Sequence, residues 1–388
     1  MSQALPPQAP IAPAIAWSDL VRADQFSHWL AATAAQHGLQ PASLRLASAD
    51  ASFRRYFRID AQDGSRIIMD APPDKENSAP FVKVATLMHA AGVPAPKVLA
   101  WDEPLGFMLL TDLGAQTMMQ VINRHDAQAN LPLYLQAVDA LIAWQLSSQP
   151  DVLPPYDEAL LRRELALFPD WYIAQHKGIV LDDAMRQTLD KSFEAIIRHN
   201  LSAPSVFVHR DFMPRNLMAP TLATACAALP PEGADLPWGG PAANRLMVSG
   251  PGTLGVLDFQ DAVYGPITYD IASLMRDAFL SWDEDFCLDV TIRYWEKARK
   301  AGLPVGDDFG EFYRGVEWMG LQRHLKVAGI FARLTLRDGK PQYLADTPRF
   351  IHYIRATCAR YRELKPLLRL VEKIEGIEEP AVFGFGRQ

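Results

Sequence analysis

The residue types and spacing best suited to chemistry occur in one loop, where His209, Arg210 and Asp211 are followed by Asn216. Transfer of a phosphoryl group requires a carboxylate beside the attacking hydroxyl and oxygen ligands for the divalent cation that holds the phosphates. Asp211 has the side chain for the first task, and Asn216 has an amide oxygen for the second. Apolar residues precede the motif and Leu217–Met218 follow it, so the pattern predicts a loop between two short buried strands.

A second acidic motif, Asp258-Phe-Gln-Asp261, follows an apolar run that begins at Leu254. We predict a buried strand that ends at Asp258, because a carboxylate at a strand end is well placed to hold Mg²⁺. The combination of both motifs is more specific than either motif alone. The alternative is that Asp211 and Asp258 are ordinary turn carboxylates. For Asp261, metal binding, loop bracing and a solvated turn all stay open.

The elements that must position these residues change in character along the chain. Strands are predicted at 44–47, 53–59, 66–69, 97–101 and 107–110, with helices at 19–36 and around 81–88. Later amphipathic helices are predicted at 133–146, 160–168 and 316–334. The sequence therefore predicts an α+β protein with a sheet-rich N-terminal lobe and a mostly helical C-terminal lobe. The predicted parts are a disordered tail (1–16), an N-terminal lobe (17–112) and a C-terminal lobe (113–388) with an irregular insertion (219–252).

Composition excludes several classes of protein. The net charge of −7 offers no basic surface for a nucleic-acid backbone. The three cysteines are widely spaced and form no CxxC pair, so neither a zinc site nor a disulfide framework is indicated. No secretory signal is recognisable, and no apolar run reaches the ~18 residues that a spanning helix needs. We therefore expect a cytoplasmic protein without nucleic-acid or membrane partners.

Several segments of the chain together resemble the aminoglycoside phosphotransferase-like kinases, a superfamily related to the protein kinases. These segments are residues 50–58, 68–73, 209–218, 257–266 and 322–333. The resemblance narrows to the anomeric N-acetylmuramate/N-acetylglucosamine kinases of cell-wall recycling and extends from about Ala49 to Arg360. It implies a bilobal protein-kinase-like fold that uses Mg²⁺ and ATP. It also implies transfer of the ATP γ-phosphate to the C1 hydroxyl of the amino sugar. A nucleotidyltransferase would then use the sugar 1-phosphate, and this metabolite would be its only link to the present protein.

The resemblance also implies roles for individual residues. Asp211 would be the catalytic base, and Asn216 and Asp258 would be the metal ligands. Asp270 matches the acidic residue that braces the catalytic loop through backbone amides, and His209 is expected to be structural.

Other positions depart from the protein-kinase pattern. The first hairpin loop has no glycine, Met69 stands where a strand lysine is expected, and the following helix has no glutamate. Because both members of the lysine–glutamate pair are absent, we predict a replacement device. Candidate nucleotide-binding residues are Ser52, Phe53, Arg54 and Arg55, with Arg58 nearby and the adenine at Leu110 to Asp112. The alternative is that the arginines are surface residues of an edge strand.

The sugar pocket is expected in the helical lobe. Aromatic rings stack on pyranoses, and a cation could pair with the lactyl carboxylate of muramic acid. The candidates are Trp171 with the adjacent Tyr172, Arg276, Arg323, His324 and Arg333. Aromatic residues at helical spacing more often belong to a core, and His324 also fits a structural role.

Rival interpretations remain within and beyond the superfamily. An aminoglycoside, choline, fructosamine or other hexose kinase would use the same catalytic loop. The basic segment 322–333 favours an uncharged or anionic substrate over an aminoglycoside polycation. A pseudokinase that binds nucleotide without turnover is the alternative from another class, and the missing strand lysine supports it.

Overall fold

The computed structural model describes Ile15, Trp17 and residues 19–49, 53–220 and 253–377. The predicted tail, Ser52 and nearly all of the predicted insertion lie outside these described residues. The described chain forms two compact units. The sheet unit contains residues up to Ala90 together with 94–115 and 255–260, and the helical unit contains 91–93, 116–254 and 261 onwards.

The sheet unit contains five antiparallel strands in the order β1-β2-β3-β5-β4. They are β1 Leu39–Ala49, β2 Arg55–Ala61, β3 Gly64–Asp70, β4 Val98–Asp102 and β5 Phe107–Thr111. Two helices, α1 Leu20–His37 and α2 Ala79–Ala90, and the short strand β8 Gly255–Val256 belong to the same unit. Since β2 lies between β1 and β3, the alternative that its arginines occupy an edge strand is wrong.

Helix α1 covers one face of this sheet. The Asp19 side chain caps its first turn, and Gly38 ends it in the left-handed conformation, so the helix predicted at 19–36 is confirmed. Phe26 is buried and its ring lies 5.4 Å from the Phe57 ring and 5.5 Å from the Phe107 ring. These aromatic contacts form the centre of the core between the helix and the sheet.

The strand bounds agree with the sequence prediction in part. The strands predicted at 53–59 and 66–69 are confirmed and form a hairpin, because β2 ends at Ala61 and β3 begins at Gly64. The predicted strand at 44–47 is too short, because β1 begins at Leu39. A proline within β1 interrupted the apolar pattern. The structure tolerates the proline because β1 is an edge strand with irregular register between Gln40 and Arg45.

The helical unit contains most of the helices. They are α3 Met118–Val121, α4 Leu131–Leu146, α5 Glu158–Leu167, α6 Asp183–Leu201, α7 Thr268–Met275, α8 Glu284–Lys300, α9 Phe309–Leu336, α10 Thr347–Arg360 and α11 Lys365–Glu375. A π-helix, Phe168–His176, continues directly from α5. Short 3₁₀ segments occur at Gln128–Asn130, Pro214–Asn216, Pro341–Asp346 and Arg362–Leu364. This composition of the two units confirms the α+β fold class.

Helix α9 is the central element of the helical unit. It has 28 residues, and its middle from Val316 to Lys326 is buried on all sides. A helix buried all round normally carries apolar residues, yet α9 buries Glu317, Arg323 and Lys326. These charges need partners within the unit, and the partners belong to the candidate active site.

Three short strands of the helical unit hold the chemical motifs. Strand β6 Ser205–Val208 pairs antiparallel with β9 Val263–Pro266, and β7 Leu217–Met218 follows the catalytic loop. The two strands predicted around the loop are therefore confirmed. Within the described ranges, no helix is long and apolar enough to span a membrane.

The Gly106→Ala substitution should destabilise the sheet unit strongly. Gly106 has a φ of 70°, and a Cβ atom there would lie 2.0 Å from the Ala71 carbonyl oxygen. That oxygen is backbone and cannot rotate away, so we expect a loss of more than about 3 kcal/mol of unfolding free energy.

Gly38→Ala is the matched control. Gly38 has a similar φ of 63°, but its Cβ would make only ordinary contacts with Gln62. We expect a cost of about 1 kcal/mol there. Urea denaturation of both variants measures the difference, and equal costs would contradict the proposed backbone clash.

Candidate active site

The loop after β6 is fixed by a buried carboxylate. His209 and Asp270 are both fully buried. The Asp270 side chain accepts hydrogen bonds from the backbone N–H of His209 at 2.7 Å and of Arg210 at 3.0 Å. Burial raises the pKa of Asp270, while these N–H groups favour its charged form. Helix α7, which carries Asp270, thereby fixes the start of the loop.

Arg210 adopts an unusual backbone conformation. Its φ is 77°, in the left-handed region that costs a non-glycine residue about 1–3 kcal/mol. Besides the N–H bond to Asp270, the Arg210 carbonyl accepts a hydrogen bond of 2.6 Å from Arg323 Nη1. The Arg210 guanidinium donates to Glu164 at 2.6 Å. Three side chains from three different helices therefore hold one residue in a strained conformation.

Glu164 is the centre of a buried polar network that the sequence analysis missed. Besides Arg210, its carboxylate accepts hydrogen bonds from Lys326 at 2.8 Å, Gln322 at 2.9 Å and the Tyr156 hydroxyl. Burial disfavours its charge, yet the Lys326 and Arg210 cations lower the pKa of Glu164 to about 2. Sequence alone showed a glutamate on an amphipathic helix, and only the fold brings its cationic partners to it.

The loop presents Asp211 immediately after Arg210. Its backbone N–H donates to His209 Nδ1 at 3.2 Å, and its carbonyl accepts from the Asn216 side-chain amide at 2.9 Å. Asp211 is half-buried. Among the described residues, its carboxylate makes no hydrogen bond or ion pair. The carboxylate is therefore available to a substrate hydroxyl. The hydrogen bond from the Asn216 side-chain amide closes the loop between Asp211 and Asn216.

Asp258 lies in the sheet unit. Strand β8 ends at Val256, so the prediction of a strand that ends at Asp258 is wrong by two residues. The reason is the φ of 62° at Asp258, which no strand can include. Val256 hydrogen-bonds to the Pro94 carbonyl, and the Phe259 ring packs 4.8 Å from Phe81 of α2. These buried neighbours hold the exposed Asp258 side chain, which accepts a hydrogen bond from Gln260.

The arginines predicted near the phosphates have carboxylate partners. Arg54 precedes β2, is nine-tenths buried and forms an ion pair of 3.1 Å with Glu76. Arg55 forms an ion pair with the fully buried Asp70 and its guanidinium lies 3.9 Å from the Trp17 ring. Phe53 is exposed.

Asp112 is bound within the sheet unit in a comparable way. Its carboxylate accepts hydrogen bonds from Arg58 and Ser65. Although burial acts to raise it, these hydrogen bonds lower the pKa of Asp112. The preceding Leu110 is buried in β5, and Met69, at the expected lysine position, is also fully buried. The Asp112 side chain thus fixes the end of β5.

The predicted sugar-binding residues have different environments. Arg276 forms an ion pair of 3.0 Å with Glu317, and its carbonyl contacts His324 Nε2 at 3.2 Å. Burial lowers the pKa of His324 to about 3, so the ring is neutral. Trp171 is half-buried in the π-helix, and Arg333 is half-buried near the end of α9. The structure brings Arg276, Arg323 and His324 together, whereas Trp171 belongs to the π-helix.

One carboxylate, of Asp258, and one amide, of Asn216, are the predicted metal ligands. The described residues include no group of three or more His, Cys, Asp or Glu that could hold a metal ion. Mg²⁺ is normally bound by one or two carboxylates plus substrate phosphates and waters, so such a group is not required. The oxygen donors of Asn216 and Asp258 fit this chemistry.

The sequence matches the phosphotransferase enzyme family over residues 43–225 and 241–308. This chain belongs to that family. This phosphotransferase is 46% identical over 338 residues to the N-acetylmuramate/N-acetylglucosamine kinase of Neisseria meningitidis. The aligned region covers 87% of this chain and 92% of the relative. The chain is 47% identical over 334 residues to the kinase of the same name from Pseudomonas aeruginosa, with coverages of 86% and 89%.

A solved structure shows the same fold at much lower sequence identity. It is a choline/ethanolamine kinase family protein from Mesorhizobium loti, with a TM-score of 0.55 and 15% identity. The match covers 91% of this phosphotransferase and 99% of that chain. The kinase-like fold implied by the sequence resemblance is thereby confirmed.

Glu164→Gln should destabilise the helical unit and the catalytic loop together. The substitution leaves the buried Lys326 and Arg210 without their shared anion, and breaking a buried ion pair costs about 3–5 kcal/mol. Urea denaturation measures this loss of unfolding free energy.

Glu158→Gln on the same helix is the control. The Glu158 carboxylate pairs with Arg162 at the surface, so its loss should change stability by less than about 1 kcal/mol. Adding Lys326→Met to Glu164→Gln should recover part of the loss by removing one uncompensated charge. Similar costs for both glutamate variants would show that the network does not stabilise the loop.

Proposed function

We propose that this phosphotransferase is an ATP-dependent kinase that phosphorylates the C1 hydroxyl of N-acetylmuramate and N-acetylglucosamine. The observation that carries the proposal is the catalytic loop, in which a strained and triply held Arg210 presents an uncommitted Asp211 carboxylate. Relatives at 46% and 47% identity that carry this name support the choice of substrate. We also propose that the reaction takes place in the cytoplasm and supplies a nucleotidyltransferase.

Asp211 is the proposed catalytic base. Its carboxylate would accept a hydrogen bond from the C1 hydroxyl and take the proton as the oxygen attacks the γ-phosphorus of ATP in line. The bond between that phosphorus and the β–γ bridging oxygen would break, and ADP would leave. A hemiacetal hydroxyl is more acidic than an ordinary alcohol, so a carboxylate is a sufficient base. Asp270 and His209 act by holding the loop, and neither needs to contact the sugar.

Asn216 and Asp258 are the proposed ligands of Mg²⁺. Their amide and carboxylate oxygens suit this ion, which supplies charge neutralisation to the β- and γ-phosphates when bound. Asn216 donates its N–H to Asp211, an arrangement that orients the amide oxygen. We propose that residues 17–112 form the nucleotide-binding lobe and that 113–388 form the catalytic lobe.

Arg54 is the most suitable phosphate ligand among the predicted arginines. Its ion pair with Glu76 resembles the missing lysine–glutamate pair in chemistry, because one carboxylate orients one cation. Arg55 is committed to Asp70. We propose that Phe53 and Ser52 complete the phosphate-facing loop, and that adenine contacts the backbone between Leu110 and Asp112.

The sugar would bind in the helical unit beside the catalytic loop. Arg323 and His324 shape this region from α9, and Arg276 supports them through the end of α7. Arg333, half-buried near the end of the same helix, is the proposed partner of an anionic substituent. Trp171 remains a candidate for stacking on the pyranose ring.

Asp211→Asn should lower kcat by about 100-fold or more, because a positioned acid–base group contributes about 10²–10⁴ to the rate. The amide has nearly the same size, so the KM for ATP should stay unchanged. Coupled ADP release with N-acetylglucosamine measures kcat, and phosphorus NMR of the product locates the phosphate on C1. Near-normal turnover by the variant would remove Asp211 from the base role, and a phosphate on another carbon would contradict the proposed acceptor.

Asp258→Asn should raise the Mg²⁺ concentration needed for half-maximal rate and lower kcat by about 100-fold, since one of two anionic or amide ligands loses its charge. Asp74→Asn is the control, because Asp74 is an exposed carboxylate of the same sheet unit and has no proposed role in metal binding. Steady-state rates across a Mg²⁺ titration distinguish the two. Equal Mg²⁺ dependence in both variants would contradict metal binding by Asp258.

A further inference from the structure

A buried carboxylate beyond the end of α7 has no role in the chemistry described above. Asp277 is 2% exposed. Its Oδ1 accepts a hydrogen bond from the Phe279 N–H at 3.0 Å, whereas its Oδ2 has no hydrogen-bond partner among the described residues. A buried polar oxygen without a partner is destabilising, and more so when it is charged. Such an oxygen indicates either that the protein is destabilised there because the residue has a function, or that a ligand normally supplies the hydrogen-bond donor.

The position of Asp277 is next to the catalytic loop. It lies two residues beyond the end of α7, and Arg323, which binds the Arg210 carbonyl, interacts electrostatically with both Asp277 and Asp211. Two residues beyond Asp277, the Phe279 ring lies 4.6 Å from the guanidinium carbon of Arg215, which belongs to the catalytic loop. The segment that carries Asp277 therefore runs along the loop that presents Asp211, and both belong to the helical unit.

The charges around Asp277 do not neutralise it. Arg323 of α9 and Arg349 of α10 face it, together with the Tyr134 hydroxyl of α4, and none of them forms a hydrogen bond or ion pair with it. Burial therefore raises the pKa of Asp277 to about 6, although the two arginines act to lower it. Because its folded pKa exceeds its unfolded value, its ionisation destabilises the protein as the pH rises through 6.

We propose that Asp277 determines sugar specificity, with its unpaired carboxylate oxygen accepting a hydrogen bond from the pyranose. The donor is neutral and is either a ring hydroxyl or the acetamido N–H. This inference rests on the proposed function and adds the recognition of the sugar itself. The Asp277 carboxylate would bind a group of the sugar other than the C1 hydroxyl. This contact would orient the pyranose ring so that C1 faces Asp211.

Asp277→Asn tests this role. The amide retains the oxygen that accepts from Phe279 and replaces the free acceptor by a donor. The KM for N-acetylglucosamine should rise about 10–100-fold, the effect of losing one hydrogen bond to a charged group. The KM for ATP should not change. The thermal midpoint at pH 8 should stay the same or rise, because the variant removes a buried charge.

Asp285→Asn, an exposed position of α8, is the control and should change none of these values. A lower thermal midpoint for Asp277→Asn with an unchanged sugar KM would overturn the proposal in favour of a structural role.

Deoxy sugars identify the donor. Wild type and Asp277→Asn should become equal for the one analogue that lacks the contacted group, whether a single hydroxyl or the acetamido group. An equal penalty on all analogues would overturn direct recognition. Failure of the wild type to phosphorylate any amino sugar would refute the proposed function. In that case the sugar KM of Asp277→Asn, compared with that of the wild type on whichever sugar the wild type does phosphorylate, still decides the role of Asp277.

The wild type alone provides a second test if the variant does not fold. The sugar KM should rise as the pH falls below about 6, where the Asp277 carboxylate becomes protonated, and the KM for ATP should stay constant. The rise should be absent for the analogue that lacks the contacted group. A sugar KM that is constant from pH 5 to 8 would overturn the proposal.

Discussion

The left-handed backbone of Arg210 is the constraint on which the catalytic loop depends. No residue of the loop stabilises this conformation by itself. A free chain would avoid it, because adopting it costs about 1–3 kcal/mol. It persists because Asp270, Arg323 and Glu164 bind the N–H, the carbonyl and the guanidinium of the same residue. These partners come from α7, α9 and α5, so the loop geometry depends on the packing of the whole helical unit.

The same network explains why α9 can bury charges in its middle. Lys326 shares the Glu164 carboxylate with Arg210, and Arg323 reaches a backbone carbonyl of the loop. Each charge has at least one hydrogen-bond partner, although the Nε atoms of Arg323 and Arg210 have none among the described residues. Such partners are the condition under which burial of ions is tolerated. In protein kinases a comparable arginine is often paired only after phosphorylation of a mobile segment. Here the anion is a side chain of the core, so the loop is assembled without a modification.

Sequence reasoning predicted much of the fold because its signals were local. The glycine that follows the helix predicted at 19–36 and the turn between the strands predicted at 53–59 and 66–69 each act within a few residues. The start of β1 was missed because register and edge position are set by partner strands. Glu164 was missed for a related reason. Its partners Lys326 and Arg210 lie far away in the chain, and only long-range packing brings them together.

The arginines near the first hairpin show where a pattern leaves the role of a residue undecided. Cations before a phosphate-facing loop fit nucleotide binding, but Arg55 binds Asp70 and Arg58 binds Asp112. A planar guanidinium makes two hydrogen bonds to one carboxylate and so fixes a strand against its neighbour, which a flexible lysine does less well. Arg54 differs, since its partner Glu76 lies outside the sheet between β3 and α2. Glu76 therefore orients the Arg54 cation from outside the sheet, whereas Arg55 and Arg58 pair with carboxylates of the sheet strands and their ends.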